Sequence, residues 1–202
     1  MRVLVTAGPT REYLDAVRYL SNASSGRMGF ACAAAAAAAG HDVTLVTGPV
    51  ALPDPDGVRT VRVVSAEDMY RAVMKAYPGV DAAIATAAVG DYRPAERVAG
   101  KLKKKAGPLT LKLVRTRDIL QQMGAKKGKR LLVGFALEVQ DAVENALRKY
   151  QKKNLDYIVL NAPKTFGAET MDCRVYRDGG VVKRFRGATK DEVARWIVGR
   201  LA

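Results

Sequence analysis

The chain has 202 residues, 49% of them hydrophobic and 27% charged, which suits one sizeable core and excludes a disordered chain. Its 34 Lys and Arg against 20 Asp and Glu leave a formal net charge of +14, pointing to an anionic partner: nucleic acid, or a highly charged small substrate. Two cysteines outside any metal or redox spacing and a lone histidine, His41, count against a His-based metal site or a Ser-His triad. No apolar run suits a bilayer span, and Met1-Arg2-Val3-Leu4 leads straight into a strand. The expectation is a protein with no membrane contact and no signal peptide, in a reducing cytoplasm.

In chain order, residues 2–7 read as a buried strand and 27–39 as an alanine-rich helix closed by Gly40. Residues 41–47 are a second strand, 49–57 a loop and 58–64 a third strand. Ser65 to Asp68 fits a capping box whose helix ends at Tyr77-Pro78-Gly79, and 81–86 is a fourth strand. Residues 87–106 form a long polar connection, of the kind that more often carries function than not. Strands are expected at 109–114, 130–137 and 156–160, and helices at 116–124 and 141–153. A hairpin at 173–185 turns on Arg177-Asp178-Gly179-Gly180, and Thr189 to Glu192 caps a last helix facing inward through Val193, Trp196, Ile197 and Leu201. The alternation predicts an α/β fold: a Rossmann-like three-layer sandwich with a mostly parallel central sheet and a C-terminal β-hairpin extension, one domain over 1–202.

The chemistry concentrates in the loops after strands. Ser24-Ser25-Gly26-Arg27-Met28-Gly29 opens a helix, where unpaired N–H groups and a partial positive charge favour an anion. The same residues also make an ordinary N-cap. Arg11, Arg18 and Asn22 upstream favour the anion, since arginine forks take phosphate or carboxylate and an asparagine amide can donate to an acyl oxygen. After the fourth strand, Thr86-Ala87-Ala88-Val89-Gly90-Asp91 lets a flat ligand lie on backbone, with Asp91 either accepting from ribose or base or simply starting a turn. Lys101 to Lys105 is a solvated run or a mobile phosphate cover, and Lys149 and Lys153 share a helical face at i, i+4. A Gly-x-Gly-x-x-Gly after the first strand, an acidic end to the second and a Walker loop are all missing, which argues against a dinucleotide dehydrogenase. Few aromatics and no recognition motif argue against nucleic acid.

Taken together, Gly8-Pro9-Thr10-Arg11-Glu12, the stretch from Asp15 to Gly29, Ala87 to Pro94, Lys101-Leu102-Lys103-Lys104, Val133 to Glu138 and Lys153-Asn154-Leu155-Asp156 resemble the phosphopantothenate–cysteine ligases. The resemblance implies ligation of cysteine to 4′-phosphopantothenate through an acyl-nucleotidylate, with CTP as co-substrate, or ATP as the alternative, and Mg²⁺. It also implies a homodimer, no bound flavin and a decarboxylase partner supplied separately. Asn22 and Lys101 are the implied catalytic residues, and Arg18, Asn22, Ala87 and Ala88 the implied substrate contacts. Implied nucleotide contacts are Gly8, Ser24, Ser25, Gly26, Ala85, Thr86, Ala87, Asp91, Lys101, the segment Arg117, Asp118, Ile119 and Leu120, and Phe135, Lys149 and Lys153. The metal ligands are not assigned. The dimer contact is expected at 109–114 and 161–186. Three positions depart from the family pattern: Arg27 where lysine is common, Gly90 where alanine is usual, and Arg117 where proline precedes the aspartate.

Overall fold

A computed structural model describes residues 1–104, 106–162 and 170–201. Lys105 and residues 163–169 of the expected dimer region therefore lie outside the described residues. The first half runs β1 (Arg2–Ala7), β2 (Arg11–Tyr13), β3 (Tyr19–Ser21), α1 (Arg27–Ala38), β4 (Asp42–Thr47), β5 (Val58–Arg62), α2 (Ala66–Ala76) and β6 (Ala82–Ala85). The second half runs β7 (Tyr92–Pro94), β8 (Leu113–Arg115), α3 (Ile119–Ala125), β9 (Leu131–Leu137), α4 (Ala142–Lys152), β10 (Tyr157–Asn161), β11 (Thr170–Arg177), β12 (Gly180–Thr189) and α5 (Lys190–Val198).

Eight strands form the main sheet in the order β12-β11-β10-β9-β6-β1-β4-β5. The strands from β10 to β5 pair in parallel, and β11 and β12 extend the edge antiparallel. The period of two divides the core. Val3, Val5 and Ala7 of β1 face α1 and α5, whereas Leu4 faces α2, α3 and α4. This is the three-layer, mostly parallel sheet expected from the sequence. The strand order reverses between β1 and β6, and open α/β sheets bind ligands beyond the carboxyl ends of the strands at such a point.

Both capping boxes form: Ser65 accepts from the Asp68 N–H and Thr189 from that of Glu192, each with the reciprocal bond. The turn of the β11–β12 hairpin has Asp178 at φ 51° and Gly179 at φ 80°, the two left-handed residues of a type I′ turn. The expected 109–114 strand shrinks to β8, which pairs only with β7, and Leu109 and Leu111 remain exposed. The expected 116–124 helix begins at Ile119, because the Thr116 hydroxyl donates to Gly90 O at 2.6 Å and Asp118 becomes the N-cap. A short hairpin, β2–β3, fills the first loop, where no strand is expected from the sequence.

Candidate active site

α1 starts at the switch point. Its N-cap, Gly26, has φ 76°, and its first turn holds no acidic residue to neutralise the helix end. Gly29 lets the helix approach the sheet: a Cβ there would lie 2.4 Å from Ala7 Cβ and 2.5 Å from Thr86 Oγ1. Thr86 fixes the opposite lip by donating its hydroxyl to Thr6 O at 2.7 Å. The Ala88 N–H donates to Gly8 O at 2.9 Å, so Gly8 supports the floor.

These lips open on a cavity of about 570 Å³, within the range of small-molecule sites. Of the expected residues, it is lined by Asn22, Ser24, Ser25, Gly26, Ala85, Thr86, Ala87, Ala88 and Asp91 from the β1 and β6 ends. Arg117, Asp118, Ile119, Leu120, Phe135, Lys149 and Lys153 line it from the far side. Gly8, Arg18 and Lys101 are not among the residues that line it. Gly8 lies beneath it, with Val50 Cγ1 3.0 Å from the place of a Cβ.

Arg18 is turned toward a buried acid. Asp15, fully shielded from solvent, accepts from the N–H groups of Val17 and Arg18 at 2.8 and 2.7 Å and from both Nε and Nη2 of Arg18. The same guanidinium donates to Leu102 O at 2.6 Å, and the Leu102 N–H donates to Asp15 at 2.9 Å. Arg18 and Asp15 thus clamp the root of the lysine run, and Lys101 stands exposed beside that clamp. The bonds from Arg18, then those from Val17 and Leu102, hold the Asp15 carboxyl well below the usual carboxylate range.

Asn22 is spoken for differently than expected. Its Nδ2 donates to Ala88 O at 3.1 Å and Val89 O at 3.2 Å, tying β3 to the loop after β6 and leaving its Oδ1 as the acceptor. On the far side Lys153 Nζ lies 2.8 Å from Asp118 Oδ2, and Lys149 Nζ lies 3.3 Å from Glu138 Oε1. Burial pushes the Asp118 carboxyl up. Its bonds from Lys153 and the Gln121 N–H outweigh that and keep it below the ordinary value. Arg117 stacks on the Tyr70 ring, its Cζ 4.6 Å from the centroid. The cavity therefore combines a helix N-terminus, two half-buried ammonium groups and a guanidinium, a set suited to a polyphosphate.

Sequence reasoning missed Asn161, Met171 and Lys190, brought to the cavity by β10, β11 and α5. Asn161 Oδ1 is buried without a hydrogen-bond partner, an unsatisfied acceptor at the wall of the cavity. Its sequence signal is its place at the carboxyl end of a parallel strand. Neither thiol is part of this chemistry: burial, aided by Asp172, pushes Cys173 up to about 12, and burial alone pushes Cys32 up.

Among known proteins, the Bacillus subtilis coenzyme A biosynthesis bifunctional protein CoaBC is 42% identical over 205 residues, covering 99% of this chain and 50% of that protein. A cysteine/cysteine sulfinic acid decarboxylase from an unknown prokaryotic organism is 44% identical over 206 residues, covering 99% of this chain and 57% of that protein. The chain thus spans about half the length of these curated relatives. A solved C-terminal domain of CoaBC superposes with a TM-score of 0.85 at 43% identity, covering 98% of this chain and 92% of that one. A DNA/pantothenate metabolism flavoprotein from Streptococcus pneumoniae, 22% identical with 99% and 97% covered, has the same fold at a TM-score of 0.87. Residues 1–202 match throughout the family described as the DNA/pantothenate metabolism flavoprotein C-terminal domain, and the chain belongs to that family.

Proposed function

We propose that this domain is a phosphopantothenate–cysteine ligase. The carrying observation is the switch-point cavity, where the α1 N-terminus, Asn22, Asp91, Lys149 and Lys153 converge in a chain of this family. The bifunctional coenzyme A biosynthesis name of relatives 42–50% identical supports the reading.

In the first half-reaction a carboxylate oxygen of 4′-phosphopantothenate attacks the α-phosphorus of CTP. The new P–O bond replaces the bond to pyrophosphate, which leaves, and an acyl-cytidylate forms. A carboxylate is already nucleophilic, so no histidine or thiolate base is needed. In the second half the cysteine amine attacks the acyl carbon, CMP departs with the electron pair of the acyl–oxygen bond, and the amine proton passes to solvent. Lys149, Lys153, Arg117 and the α1 N–H groups offset the phosphate charge as it shifts toward the leaving group. Asp91 is the acceptor for ribose or base hydrogens, and Asn161 Oδ1 suits a base amine. Asn22, its Nδ2 held by the Ala88 and Val89 carbonyls, presents its Oδ1 as an acceptor for the attacking cysteine amine.

Among the described residues no three His, Cys, Asp or Glu cluster to hold a metal. Mg²⁺ would enter as a companion of the triphosphate, whose oxygens would supply most of its ligands, and would neutralise the leaving pyrophosphate. Exposed Leu109, Leu111 and Leu113 support a homodimer, and a decarboxylase partner supplies the flavin step. Lys101, held at its root by Asp15 and Arg18, closes over the phosphates. The test is incubation with 4′-phosphopantothenate, cysteine and CTP or ATP in turn, following pyrophosphate and product mass. No product with either nucleotide overturns the reading, and product with ATP alone overturns the choice of CTP.

A further inference from the structure

The antiparallel edge of the sheet carries a second concavity, of about 450 Å³. Strand register sets Ala136, Leu160, Arg174 and Arg184 in one row across β9, β10, β11 and β12. α4 packs on β9 and β10, and the row continues past it. Arg174 and Arg184 stand directly opposite each other, although facing like charges weaken a strand pair. Among the described residues neither guanidinium has an ion-pair or hydrogen-bond partner, and nor does that of Arg186.

The two acids of the groove are engaged elsewhere. The strand register places Arg186 and Gly187 opposite Asp172 alone, a bulge. There the Gly187 N–H, at φ 57°, donates to Asp172 Oδ1 at 2.7 Å. Glu138 pairs with Lys149 on the cavity side. The facing wall is apolar: Val139 is 80% exposed and Val143 lies beside it. Asn161 separates this groove from the nucleotide cavity and lines both.

We infer that the groove is a second anion site, distinct from the cavity, that takes a phosphate ester with an apolar organic part. Guanidinium forks grip phosphate oxygens in pairs, and three unpaired ones line this groove, whose two carboxylates are held by the Gly187 N–H and by Lys149. Val139, Val143 and Leu160 cover the apolar part. The inference does not depend on the ligase reading.

Phenyl phosphate titrated into the ¹⁵N-labelled chain tests it. Saturable shifts are expected at the amides of residues 172–174 and 184–187. They persist in K153M, which alters the cavity, and weaken about tenfold or more in R174Q/R184Q, the scale of one lost charge-assisted hydrogen bond. R186Q weakens them too, and thermal melting confirms that each variant is folded. Inorganic phosphate binds more weakly, lacking the apolar part. The site is overturned if the hairpin amides do not shift, if R174Q/R184Q binds as tightly as the parent, or if only Gly26 to Gly29 respond. Equal affinity for inorganic phosphate overturns the role of the apolar wall.

Discussion

The Asp15 carboxylate accepts a hydrogen bond from the Leu102 N–H at 2.9 Å, joining positions 87 residues apart in the chain. This bond and those of Arg18 set where the lysine run leaves the body of the domain. Asp15→Asn removes the charge that holds Arg18, so Lys101 loses its fixed root. The expected result is a fall in kcat with little change in the KM for nucleotide. In a Lys101→Gln background the same change should cost little more, since both act through one loop. Additive losses in the double-mutant cycle would show that Asp15 acts elsewhere.

Asn22→Asp puts a carboxylate against the carbonyl oxygens of Ala88 and Val89, replacing two donated bonds with repulsion. Turnover should fall by about two orders of magnitude, the effect of losing one oriented polar group at a reacting acyl centre, with nucleotide binding less affected. Stopped-time assays for pyrophosphate and final product locate the affected half-reaction. A variant as fast as the parent contradicts the role.

Gly29→Ala tests the close approach of α1. The added Cβ meets Ala7 and Thr86, and backbone as near as 3.0 Å, so the helix must move away from the sheet. A loss of about 1–3 kcal/mol is expected from such overpacking, together with weaker nucleotide binding, because the helix end is the proposed anion site. Urea unfolding and nucleotide titration measure the two effects separately.

Acid sensitivity follows from the carboxylates. Asp15, Asp68, Asp81 and Asp118 all lie below the ordinary aspartate value of 3.8 in the folded chain. A carboxyl with a depressed folded value contributes stability that is complete above its unfolded value and disappears as pH falls through the folded one. Stability should therefore be flat in these groups from neutrality to about pH 5 and fall progressively below pH 4. The fall should be shallower in Asp15→Asn, as read by thermal melting across pH.

The sheet was legible because its strands are short apolar runs bounded by glycine and by capping boxes, as at Ser65 and Thr189. The cavity's near side was legible as well, since Ser24 to Gly29 and Ala85 to Asp91 follow β3 and β6 directly. What escaped depended on distant partners. Arg18 carries the same fork whether it meets a substrate or a carboxylate, and only the fold brings it to Asp15 and Leu102. Met171 and Lys190 sit in elements whose position at the cavity no local pattern marks, and Asn161 is marked only by its place at the carboxyl end of β10. β2 and β3 are three residues each, too short for alternation to show.

α5 packs across α1, so Val193, Ala194 and Ile197 complete the layer begun by Phe30, Cys32 and Ala33. Synthesis delivers these two helices more than 150 positions apart, and the layer stays open on one side until the second arrives. Ribosome-bound chains lacking Lys190–Val198 accordingly display a greasy face that water must cover. Nonsense changes upstream of Thr189 should therefore leave this layer open and yield insoluble fragments, not shortened domains.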